Sequence, residues 1–187
     1  RLGARHHVRR LPDGAGTMLW ELRDLGPAAL VPGAWLATAA VHAEVMGTDG
    51  IFIAHVVMAA FIAFFAVTGW SAMAEGALRA WRLVLVVGLA VTVAGIAGFL
   101  DAPGEDTLLG TSIVGWMVLP AAGLAYTGWE MPDSSLVYYG SGALSVAGAV
   151  VYVAALAAFG GAAELAGIAL VGLGQTAGML AGTLADR

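Results

Sequence analysis

Polar residues crowd the start of the chain and then retreat to narrow intervals. Residues 1–24 are the one long polar stretch. Beyond them lie six apolar blocks, over residues 28–46, 51–73, 83–100, 108–127, 136–159 and 162–184. Each is close to the roughly 20 residues that a helix needs to cross the hydrocarbon of a bilayer. Between the blocks fall the turn Gly47-Thr48-Asp49-Gly50, a polar connection over 75–82 and an acidic loop over 101–106 containing Pro103-Gly104. A connection over 129–135 and the turn Gly160-Gly161 complete the series. Within a block the apolar residues run on without the polar interruptions that a half-buried surface helix shows. The pattern predicts an all-α polytopic transmembrane bundle of about six helices joined by short loops, over residues 27–187. A basic polar segment, 1–26, precedes it, and residues 17–25 have the pattern of a short interfacial helix. Met18, Leu19 and Leu22 would face lipid there, with Glu21, Arg23 and Asp24 among headgroups. Pro120, inside the fourth block, predicts a kink.

Composition strengthens this picture. Hydrophobic residues make up 60% of the chain and charged ones 11%, and the mean hydropathy is +0.87. A soluble domain of this length carries about twice that share of charge. Cysteine is absent, which excludes disulfides, thiolate metal sites, iron–sulfur clusters and covalently attached haem. All eight basic residues are Arg, so a retinal-type Schiff base and a lysine nucleophile are excluded as well. No basic face exists beyond residue 23, and nucleic acid is not an expected partner. The chain does not open on Met, which makes Met18 a candidate natural start, and no cleavable signal is expected.

Arginine placement gives an orientation. With six alternating spans, Arg23, Arg79, Arg82 and Arg187 share one side, while Asp49, Asp101, Glu105 and Asp106 share the other. The positive-inside rule then puts both termini in the cytoplasm, for a multi-pass protein of the cell (plasma) membrane. Trp70, Trp81 and Trp129 fall at the Arg side, where an aromatic belt belongs. Thr68-Gly69-Trp70 and Thr127-Gly128-Trp129 end the second and fourth blocks alike. That likeness fits either a repeated two-helix hairpin, as transporters carry, or shared interface chemistry.

Candidate chemistry is sparse. His42 and His55 lie evenly about the first turn, each about 10 Å along its helix at 1.5 Å per residue. Ionisable residues within the membrane are costly and are functional candidates for that reason. Neutral imidazoles there can ligate a b-type haem or a metal, relay protons, or hydrogen-bond a quinone. Equally, each can bond a neighbouring carbonyl or reach outward to the surface. Glu44, two residues past His42, points to another face and sits near the boundary. The tract His6-His7 reads as solvated tail. Thr92, Thr111, Ser112, Ser141, Ser145, Gln175 and Thr176 can satisfy themselves within the bundle. No carboxylate lies near the midplane, which argues against an ion-coupled pump. Gly174, Gly178 and Gly182 repeat every four residues, as do Ser141 and Ser145, and such ridges serve helix packing within one chain or between chains. Gly172-Leu173-Gly174 lacks the lysine of a phosphate loop, and Gly140-Ser141-Gly142 lacks the full nucleophile-elbow pattern.

Three functional expectations follow. The first is a non-enzymatic accessory or scaffold subunit, packing in the bilayer with a homo-oligomer or a larger membrane complex. The second is a haem- or metal-binding redox or sensor protein using His42 and His55. The third is a small carrier or channel.

Overall fold

The computed structural model describes residues 29–158 and 160–185. The basic segment with its interfacial helix, His6-His7, Arg23 and Arg187 lie outside the described residues. Six helices follow: α1 (Ala29–His42), α2 (Thr48–Thr68), α3 (Leu78–Phe99), α4 (Glu105–Glu130), α5 (Ser135–Ala158) and α6 (Gly161–Ala185). A single 3-10 turn, Pro132–Ser134, links α4 to α5. The shortest of α2–α6 has 21 residues, or about 32 Å of helix. All five are long and apolar enough to cross a membrane, and α1 is a shorter apolar helix. In hydrocarbon no water is on hand for backbone N–H and C=O groups, so helices that satisfy their own backbone are the form such segments take. The protein is an all-helical integral membrane bundle.

Several boundaries differ from the sequence expectation. The first span was expected to reach residue 46, but α1 stops at His42. Glu44 turns left-handed there (φ 58°), with its N–H on the Val41 carbonyl and the Val45 N–H on the Ala40 carbonyl. These two bonds are the Schellman pattern that closes a helix. Asp101 repeats it after α3, at φ 55°, with bonds to Gly98 and from Ala102 to Ala97. The polar connection expected over 75–82 contracts, because Arg79 and Arg82 join α3. Arg is a good helix former and its long stem can reach past the membrane edge. Pro120 lies inside the continuous helix α4. Gly160 and Gly161 both take positive φ, 58° and 30°, which a glycine tolerates and a β-carbon resists.

From α2 onward, consecutive helices pack as antiparallel neighbours, most extensively α5 on α6, then α3 on α4 and α4 on α5. Buried residues of α5 recur at Tyr138, Ser141, Ser145, Gly148, Tyr152 and Ala155. Spacings of three and four residues keep one stripe turned inward. Helix α1 returns across the bundle. Its buried Trp35 joins Met117 of α4, Ala149 and Tyr152 of α5, and Ile168 and Val171 of α6 in one core. Helix α2 is the least buried of the five long helices: only Ile51 and Ile62 of it are buried, and among α2–α6 it packs on α3.

Candidate functional site

The interior is organised around Gln175 of α6, 2% exposed. Its Oε1 accepts from the Trp35 Nε1–H at 2.9 Å. Its Nε2 donates to the carbonyl of Trp116 at 2.9 Å and reaches the Ser145 hydroxyl at 3.1 Å. Ser145 in turn donates to the Met117 carbonyl at 2.9 Å. One amide thus joins α1, α4, α5 and α6. The Trp116 carbonyl is the group that a residue at position 120 would normally bond, four residues on. Pro120 has no N–H to give. The side chain of Gln175 supplies the missing donor, so a proline is accommodated in the apolar interior without an orphaned carbonyl.

Helices α3 and α4 are joined by a reciprocal pair of bonds. Trp116 of α4 donates to Thr92 of α3 at 2.9 Å, and Trp81 of α3 donates to Thr127 of α4 at 3.0 Å. Each threonine passes its own proton to the carbonyl one turn back, Gly88 and Gly123 respectively. The Trp and Thr of each helix are eleven residues apart, so antiparallel strips of equal length meet at both ends. The two Thr-Gly-Trp tripeptides therefore differ in setting. Thr127 is buried and bonded by Trp81, whereas Thr68 is exposed and bonds only back to Phe64.

The two histidines take parallel but separate places. His42 places Nδ1 on the Thr38 carbonyl at 2.9 Å and Nε2 on the Tyr152 hydroxyl at 2.9 Å. His55 places Nδ1 on the Ile51 carbonyl at 3.0 Å and Nε2 at 3.3 Å from the Ser112 hydroxyl. A carbonyl can only accept, so in each neutral ring the proton sits on Nδ1 and Nε2 offers its lone pair to a hydroxyl. His42 meets Tyr152 edge-on, with ring centroids 5.5 Å apart, and His55 meets Phe99 likewise at 5.0 Å. Tyr152 lies six residues from the end of α5, and Ser112 seven from the start of α4. Both levels are therefore about 10 Å inside the acidic end. His42 terminates α1 instead of lying mid-helix, yet it keeps that depth because α1 ends within the bundle. Each imidazole thus serves a different helix junction, and among the described residues no ring contact joins the two. No group of three or more His, Asp or Glu able to hold a metal ion occurs among the described residues. Glu44 is occupied in closing α1 and is exposed.

The small residues of α5 and α6 sit at the tightest seam. A Cβ on Gly174 would lie 2.6 Å from the Ser141 carbonyl oxygen and 3.0 Å from the Ser145 nitrogen. On Gly178 it would run into the Leu124 side chain, whereas on Gly182 it would meet only Tyr138 Oη, at 3.9 Å. Gly148 and Gly167, absent from the sequence candidates, approach about as closely and face each other across the seam. A Cβ on Gly148 would lie 2.7 Å from the Gly167 oxygen and the Val171 nitrogen. Spacing alone could have flagged Gly167, seven residues before Gly174. Its opposite number on α5 could not be chosen without the helix register. No protein-family model matches this chain, and neither a curated protein nor a solved structure is significantly similar to it.

Proposed function

We propose that the chain is an accessory or scaffold protein of the cell membrane, associating through α2 with a second copy or a larger membrane complex, with both termini cytoplasmic. The observation that carries this reading is how little of α2 is buried. It is a full-length span with two buried residues, and it packs on α3 alone among α2–α6. Ile53, Val57, Phe61 and Phe64 all fall on one exposed face, because spacings of three and four residues share a helix side. Phe61 and Phe65 stack with centroids 6.3 Å apart, and Phe64 meets Phe65 edge-on at 5.5 Å. That concentrates rigid aromatic surface on the outward side. The embedded hydrogen-bonding groups of Gln175, Ser145, Thr92 and both histidines meanwhile find partners within the chain, which suits a structural role.

The absence of native cysteine makes a direct test simple. A Phe64→Cys variant, purified in mild detergent and oxidised, should give a cross-linked pair or a cross-linked partner, and light scattering should report a particle larger than one chain. A strictly monomeric particle that fails to cross-link at position 64 would overturn the reading. The same preparation separates it from haem binding. Coordination by Nε2 of His42 or His55 would displace Tyr152 or Ser112, and would show as a Soret band lost in His42→Ala or His55→Ala. The scaffold reading expects a colourless protein whose association survives both substitutions.

A further inference from the structure

A groove of about 680 Å³ runs between α3 and α4 at the end of the bundle that carries Arg79 and Arg82. Its volume is that of a ligand-sized cleft. At its head, Arg79 and Arg82 stand three residues apart in the first turns of α3, so their guanidinium groups share a helix face. Arg82 lies over the Trp70 ring, 4.8 Å from the centroid, a contact that holds its charge at the mouth. Glu75, Glu130 and Asp133 belong to the same end, yet among the described residues neither arginine makes a salt bridge. The body of the groove is apolar: Leu83 and Val86 from α3 face Leu119 and Ala122 from α4, with Gly123 opening the floor. A Cβ at Gly123 would already press on Val84 Cγ2 at 3.1 Å, so a larger residue there would narrow the floor. Tyr126 stands at the rim, an amphipathic side chain suited to the interface.

We infer that this groove is a binding site for an anionic phospholipid, its phosphate held by Arg79 and Arg82 and one acyl chain laid along the α3–α4 seam. The complementarity is twofold. Two positive charges that make no salt bridge among the described residues stand at headgroup level, and an apolar trough leads from them toward the bilayer centre. Basic pockets between transmembrane helices select anionic headgroups on this physical basis. A guanidinium matches phosphate by paired hydrogen bonds, so the two arginines give geometric as well as electrostatic preference. A zwitterionic lipid would fill the same trough without the net attraction.

The test uses the full chain in detergent micelles, with phosphatidylglycerol and phosphatidylcholine of identical acyl chains as probes. Native mass spectrometry and thermal unfolding both read binding. The wild-type chain should retain phosphatidylglycerol about 30-fold more tightly, as two arginines near an anionic headgroup would give. Arg79→Gln with Arg82→Gln should erase that preference while leaving phosphatidylcholine retention unchanged. Ala122→Phe, which fills the trough, should weaken both lipids. Glycerol phosphate, a headgroup without tails, should not shift the unfolding temperature. Equal retention of the two lipids by wild type, an undiminished preference in the double variant, or a full shift by glycerol phosphate would each overturn the inference. Should the double variant fail to fold, Arg79→Gln alone, at an exposed position, carries the same reading. None of these outcomes depends on the oligomeric state, so the inference stands or falls separately from the scaffold reading.

Discussion

The α5–α6 seam and the α3–α4 seam are both lined with glycine, but the glycines make room for different things. On α5 and α6 they admit backbone. A Cβ on Gly148 would meet the Gly167 oxygen, and one on Gly167 the Tyr152 nitrogen at 2.7 Å and the Gly148 oxygen at 2.8 Å. On α3 they admit side chains. Gly88 receives the ring of Trp116, Gly95 receives Ser112 and His55, and Gly98 receives Leu109. Lipid tails are as apolar as leucine, so no hydrophobic drive pulls helices together in the membrane, and packing with hydrogen bonds must do so. The two seams answer that problem differently. One brings main chains close enough to maximise dispersion contact. The other sinks large rings into notches and ties them with Trp–Thr hydrogen bonds. Side-chain contacts can rearrange by rotamer changes, whereas a main-chain contact can relax only if a helix moves. The seams should therefore tolerate an added methyl group very unequally.

The largest expected effect is at the backbone seam. Gly148→Ala or Gly167→Ala should force α5 and α6 apart and cost about 3 kcal/mol, the upper part of the overpacking range. Denaturation of the reconstituted protein in increasing sodium dodecyl sulfate would measure it. A loss below about 1 kcal/mol would show that the seam is softer than its geometry, and would end the contrast. An intermediate effect is expected at the hub that joins the seams. Gln175→Ala strips a donor from the Trp116 carbonyl and an acceptor from Trp35, at about 1–2 kcal/mol, given that transmembrane hydrogen bonds are individually modest. In a Pro120→Ala background the new N–H at position 120 can bond that carbonyl from within α4. The cost of Gln175→Ala should then fall by roughly 1 kcal/mol, a coupling that a double-mutant cycle reads directly. Additive costs would sever Gln175 from Pro120. The smallest effect is expected at the side-chain seam. A Cβ on Gly98 would press on Leu109 Cγ at 2.9 Å and stand 3.3 Å from the Glu105 carbonyl oxygen, so the shortest contact is with a flexible side chain that can turn away. Gly98→Ala should cost under about 1 kcal/mol, the difference offset in part by alanine's better helix propensity. A cost matching that of Gly148→Ala would erase the distinction.

Much of the architecture is legible along the chain because the bilayer is a severe judge of polarity. A run such as 108–127 reads as a span on its own, since hydrocarbon demands that each segment satisfy its own backbone. Ends are less legible. Nothing local signals that α1 stops at His42, because the residue that turns left-handed is Glu44 and not the glycine that usually marks such a cap. The arginines of α3 read as a loop, because charge along a chain signals solvent, whereas a long side chain on a helix reaches the interface as well. In the candidate site, His42 and His55 stand out by being ionisable among apolar residues, while their partners do not. Tyr152 and Ser112 lie 110 and 57 residues away, and a tyrosine or serine in a helix advertises no partner.

By itself, then, the sequence determined the material of this protein: apolar helices long enough to span a bilayer, a chain without cysteine or lysine, and two histidines set evenly about the first turn. These follow from residue type and one-dimensional spacing, which local physics can read. Only the tertiary structure decided that Gln175 answers Pro120, that Gly148 meets Gly167, that the histidines serve separate junctions, and that Arg79 and Arg82 head a groove. Each of these depends on register and rotation between helices. A helix presents every residue type somewhere on its circumference, and which face meets which neighbour is set by the simultaneous packing of all six.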